Sequence, residues 1–188
     1  MAQIKLNATL GLEGTLPAIS GANLTSLNAS NISSGTLNSA RFSGGKVLQV
    51  INAQQGSFNT NSGSFQDTGL TASITPSATS SKIFVIVSLV SARKHTNDTS
   101  LVARALRDST EIVCFESFGG YTGNTNENGF GGTGTSYLDS PSSTSALTYK
   151  VQIKSAMSNA TVEIGGWQTG SERGKSTISL MEIAVWTQ

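Results

Sequence analysis

The sequence predicts an all-β protein: an antiparallel β-sandwich of jelly-roll type with about eight strands, preceded by an extended, repeat-like N-terminal arm. Three observations predict it. Ser, Thr, Asn and Gly make up 84 of the 188 residues, and this disfavours helices because Ser and Asn compete for backbone hydrogen bonds, Thr loses rotamer freedom and Gly costs backbone entropy. Apolar residues recur in short, largely alternating runs between turn clusters, as strands require. The first 45 residues carry only Lys5, Glu13 and Arg41 as charges, a composition boundary that separates an arm, residues 1–45, from a head, residues 46–188.

Within the arm, Leu27, Ile32, Leu37 and Phe42 recur every five residues, at the centres of small-polar-apolar-polar-small units. A spacing of five fits neither the helical period of 3.6 nor the strand period of 2. It resembles the pentapeptide repeat, in which the central apolar residue points into a β-helical coil. So few units cannot bury their own apolar faces, whereas three chains around an axis can pool theirs. Leu24, Leu27, Ile32, Leu37 and Phe42 are therefore the expected residues of trimerisation or attachment. The competing reading is a linker without fixed structure.

The head opens with a strand at Lys46–Asn52, followed after a turn-rich gap by one at Ser64–Ile74 that ends at Thr75-Pro76-Ser77. Lys82–Ala92, KIFVIVSLVSA, is the most apolar strand. Ile83, Val85, Val87 and Leu89 fill one of its faces and Phe84, Ile86 and Val90 the other, so both faces need cover. A second subunit would supply it; the alternative is the chain's own loops. Further strands are expected at Ser100–Arg107, Glu111–Phe118, Ala146–Lys154, Thr161–Trp167 and Thr177–Trp186, with a hairpin turn at Arg107-Asp108-Ser109-Thr110-Glu111. The glycine-rich segment Phe118–Ser136 is expected to be the longest loop, with Tyr121, Asn126 and Phe130 as candidate receptor-contact residues for a saccharide or protein surface.

Chemistry is scarce. The formal net charge is +1, too small a field to argue for nucleic acid or an anionic membrane. The single histidine, His95, lies in a hydrophilic turn and is expected to be solvated. The single cysteine, Cys114, lies among apolar strand residues and is expected to be a buried, inert thiol. No catalytic site, metal site or cofactor is indicated, and the glycine-rich stretches lack a phosphate-loop lysine. The longest apolar run has strand length, far short of a membrane span. No secretory signal is recognisable, so synthesis in a cytoplasm is expected.

The segments GLEGTLPAISGANLTSLNASNISSGTLNSARF and KVLQVIN resemble the stalk-plus-head proteins of tailed bacteriophages, especially cyanophage-type virion fibres. SITPSATSSKIFVIVSL, DSPSSTSALTYKVQI and STISLMEIAV are similar to their tumour-necrosis-factor-like trimeric jelly-roll heads. The resemblance implies a non-enzymatic, homotrimeric virion surface protein whose arm attaches it to other phage structural proteins, of capsid or tail. An arm of 45 residues reaches at most about 150 Å, which suits a capsid decoration or cement protein. The alternative is a tail fibre tip that binds a host surface saccharide, and a more remote one is a free lectin-like module.

Overall fold

The computed structural model describes residues 45–166 and 174–184, which form ten strands and no helix. The expected arm residues Leu24, Leu27, Ile32, Leu37 and Phe42 lie outside the described residues, as do Trp167 and Trp186. The strands are β1 (Lys46–Gln55), β2 (Phe58–Thr60), β3 (Gln66–Ile74), β4 (Lys82–Lys94), β5 (Thr99–Arg107), β6 (Thr110–Thr122), β7 (Asn128–Asp139), β8 (Leu147–Ser155), β9 (Val162–Ile164) and β10 (Ser176–Ala184).

Pairing is antiparallel and nested. β1 pairs with β10, β3 with β8, β4 with β7 and β5 with β6. A long hairpin rolled up in this way is a jelly roll. One sheet has the order β1-β10-β4-β7, and short β9 and β2 continue the β10 side at the end of β4. The facing sheet has the order β3-β8-β5-β6.

The core forms where the apolar parity of each strand meets its opposite number. Ile83, Val85, Val87, Leu89, Ile178 and Leu180 of the first sheet pack on Leu70, Ala72, Leu101, Tyr149, Val151 and Ile153 of the second. Burying such side chains is the main favourable contribution to the fold, about 1.5–3 kcal/mol each. In β3 the ladder with β8 is interrupted between Asp67 and Thr71. There the Thr68 hydroxyl stands in for the lost bonds, donating to Val151 O at 2.8 Å and accepting from Leu70 N at 3.1 Å.

Three sequence-based expectations are corrected. The segment Phe118–Ser136 is not a long loop: β6 runs on to Thr122, β7 starts at Asn128, and only residues 123–127 connect them. Glycine, normally depleted in strands, is used here because the chains approach closely; a Cβ on Gly132 would lie 2.8 Å from Leu89 O. Cys114 is exposed, because β6 is an edge strand whose solvent face it occupies. His95 sits in a turn but is half-buried, with Nε2 2.8 Å from the Glu163 carboxylate.

Two buried carboxylates tie the sandwich at the end where β1 begins. Asp139 of β7 receives Arg107 Nη1 of β5 at 2.6 and 2.7 Å and the Tyr149 hydroxyl of β8 at 2.7 Å, so it bridges the sheets. Burial above all, and then the Asp139 carboxylate, push the Tyr149 hydroxyl well above its ordinary range. Glu182 of β10 is fully buried and accepts from Gln49 Nε2, Ser77 N, Ser77 Oγ and Ser81 Oγ at 2.6–2.7 Å. Burial pushes its pKa up, but the four donors outweigh burial and hold it at about 2.

Candidate assembly surface

Residues paired across antiparallel strands share a face, so the register of the β1-β10-β4-β7 sheet determines what its solvent side presents. Val50 pairs with Met181, Met181 with Phe84, and Phe84 with Leu138. An apolar row therefore crosses all four strands at right angles to their direction. Val50 and Leu138 are 56% and 54% exposed, and Phe84 and Met181 are half-buried. On one side the row is extended by Val47, which pairs with Ile183, and by Leu48, which occupies the bulge between Val47 and Gln49. On the other side the face turns polar. Asn52, Ser179, Ile86 and Ser136 form the next row, and Asn52 Nδ2 donates to Ser179 Oγ at 2.8 Å.

The sequence expected cover on both faces of Lys82–Ala92. Within the chain Ile83, Val85, Val87 and Leu89 are buried, whereas Phe84, Ile86 and Val90 are only half-buried. Among the described residues, no loop completes that second face. An exposed apolar row of this kind is a candidate protein–protein contact. No titratable or nucleophilic group lies in the row itself, so its chemistry is that of association.

The candidate receptor-contact residues are dispersed by the fold. Tyr121 is exposed on β6, Asn126 is exposed in the 123–127 turn, and Phe130 of β7 turns inward to pack on the core beneath Gly119 and Gly120. Phe118 joins Tyr121 instead: their ring centroids are 4.5 Å apart and the planes 31° apart. The Tyr121 hydroxyl donates to Asp98 Oδ1 at 2.9 Å, and the carboxylate pushes the hydroxyl's pKa up. The sequence signal for this pair was Phe118-Gly119-Gly120-Tyr121, whose two glycines let the chain pass over the Phe130 ring.

Beneath this end the charges satisfy one another. Lys94 is fully buried, and its Nζ donates to the carbonyls of Thr96, Thr122 and Thr125 at 2.8, 3.3 and 2.5 Å, fastening the β6–β7 turn. Burial lowers its pKa, and Asp98 raises it in part. Glu163 receives Arg93 Nη2 at 2.6 Å and faces His95; burial raises its pKa, but Arg93 and His95 lower it further. Among the described residues no three His, Cys, Asp or Glu side chains gather to hold a metal ion, and no helix is long and apolar enough to cross a membrane.

No family model matches the chain, and no curated protein matches it. Solved structures do. A structure of infectious bursal disease virus, Gt strain, is 14% identical with a TM-score of 0.40, and the VP2 subviral particle of the same virus is 13% identical with a TM-score of 0.30. In both, 73% of this chain is matched, and it spans 40% of the other's length.

Proposed function

We propose that this chain is a non-enzymatic structural protein of a tailed-phage virion: a homotrimer attached through residues 1–45 that displays the jelly-roll head as a capsid decoration or cement protein. The observation that carries the proposal is the row Val50–Met181–Phe84–Leu138 on the solvent side of the β1-β10-β4-β7 sheet. A sandwich needs one apolar face per sheet to fold; a second one on the same sheet is energetically costly unless another surface covers it. Copies of the chain bring identical rows, and copies related by a three-fold axis can pool them around that axis in a closed ring. The row lies at the end where β1 begins, so closure there would also bring the starts of the three β1 strands near one another. The resemblance of the arm and head to phage stalk-plus-head proteins supplies the setting.

A tail fibre tip is the second reading, and the exposed Phe118–Tyr121 pair favours it. Two measurements test the proposal. Light scattering should give three times the 19.5 kDa chain mass; a monomer at micromolar concentration overturns the trimer. Immunogold labelling of intact particles with an antibody against residues 46–188 should decorate the capsid; gold confined to the tail end replaces the first reading with the second.

A further inference from the structure

The two ends of the sandwich are chemically different. Lys46 lies beside Ala184, and Ile183 beside Lys82, so the chain enters at the start of β4. β4 then runs 13 residues, about 40 Å at strand rise, to the end where Thr99 pairs with Thr122. Phe118 and Tyr121 stand near that far end. Phe118 is 63% exposed, more than any other large apolar residue among those described. It belongs to β6, the edge of the second sheet, so assembly through the first sheet leaves it uncovered.

The pair is rigidly held. Asp98 fixes the Tyr121 hydroxyl, and Asp98 N donates to Thr122 O at 3.0 Å. Glu116 Oε1 accepts from Ser117 N and Phe118 N, both at 3.1 Å. Phe130 fills the space under Gly119 and Gly120, and Asn128 Nδ2 donates to Gly120 O at 3.0 Å. A ring so exposed, and stacked on one side by Tyr121, offers its other face to solvent. Preorganisation of this sort lowers the entropic cost of binding.

We propose that this far end is a binding site for a neutral saccharide, with the open face of Phe118 as the platform on which a pyranose lies. The C–H groups of a sugar are polarised by their oxygens and meet the negative face of the ring. Asp98, whose Oδ1 already holds Tyr121, and exposed Asn97 supply acceptors and donors for hydroxyl groups at the rim. Charge decides the class of sugar. Among the described residues, the ionised groups hydrogen-bonded to the pair are both carboxylates, Asp98 and Glu116, while Lys94 is consumed by three carbonyls. Sugar acids, phosphates and nucleic acids are repelled from such a rim. The proposal rests on the surface-display reading only for which end faces outward.

The test is a titration of the full chain, by saturation-transfer NMR, with neutral gluco-, galacto- and manno-configured oligosaccharides and with uronic-acid and amino-sugar comparators. At least one neutral oligosaccharide should bind with a Kd of about 1 mM or tighter. Phe118→Ala, folded by circular dichroism, should weaken it about tenfold or more. Tyr121→Phe, which keeps the ring and loses the Asp98 tether, should weaken it about threefold. Failure of every neutral sugar, binding of charged sugars alone, or an unchanged Kd in Phe118→Ala overturns the site. Light scattering on the same samples separates the two proposals: a trimer that binds no sugar sinks only the site, and a monomer that binds sinks only the assembly.

Discussion

Replacing Glu182 with Gln perturbs a single charge in a place where its surroundings are fully specified. The carboxylate is buried and accepts four hydrogen bonds, three of them from Ser77 and Ser81 in the connection between β3 and β4. Its pKa is held at about 2 against an ordinary 4.5. A depression of that size corresponds to about 3 kcal/mol in favour of the charged, folded form. Because the folded pKa is the lower one, this stabilisation is complete above pH 4.5 and is lost as the pH falls towards 2. Gln keeps one acceptor oxygen but places an amide NH2 against groups that are themselves donors. Urea unfolding at fixed protein concentration should therefore show Glu182→Gln less stable by about 3 kcal/mol at pH 7, with the gap closing near pH 2. A gap below about 1 kcal/mol at pH 7, or one that persists unchanged at pH 2, refutes the reasoning.

Val85 and Phe84 are neighbours on opposite faces of β4: Val85→Asp places an unpaired charge in the core and should abolish the folded state in circular dichroism, whereas Phe84→Asp should stay folded and elute as a monomer in light scattering. Gly120 has φ +70°, and a Cβ there would strike the Phe130 ring. Gly120→Ala should cost about 1–3 kcal/mol and speed hydrogen exchange across residues 119–130. Arg107→Ala leaves Asp139 buried without its cation, held by the Tyr149 hydroxyl and the Ser140 N–H, and thermal unfolding should show a loss of about 3 kcal/mol, largely restored when Asp139→Asn is added.

What the sequence reveals and what it hides follow from how each signal is carried. Strand alternation is local, and β3, β4, β8 and β10 are legible because their core-facing apolar parity is regular, as in Ile83, Val85, Val87 and Leu89. The apolar second face of β4 is legible for the same reason. The row to which it belongs is not, since Val50, Met181 and Leu138 come from strands far apart in the chain and meet Phe84 only through register. β7 is hidden by its glycines, which signal turns when read locally but here allow β7 to lie tightly on β4. Cys114 is misjudged because Ile112-Val113-Cys114-Phe115 is apolar in both parities, and no local signal identifies β6 as an edge. Glu182 did leave a trace: it shares core parity with Ile178 and Leu180, and a carboxylate in that position requires buried donors.

The proposed assembly face and the proposed saccharide site lie on different sheets, so each can be broken without the other. That separation makes valence measurable. A trimer closed through the β1-β10-β4-β7 face carries three Phe118 platforms at the same end, whereas the Phe84→Asp monomer carries one with unchanged local geometry. Towards a soluble oligosaccharide the two should have the same Kd per site. On a surface densely coated with that sugar, the trimer should be retained on the order of a hundredfold more tightly, because second and third contacts form at high effective concentration. Equal retention would mean that the three platforms do not face a common plane, and the outward display of the far end would be wrong even if the trimer and the sugar site were each right. A change in the soluble Kd would instead mean that Phe84 and Phe118 are coupled through the close-packed core, where Val85, Leu101 and Ile153 lie fully buried between the sheets.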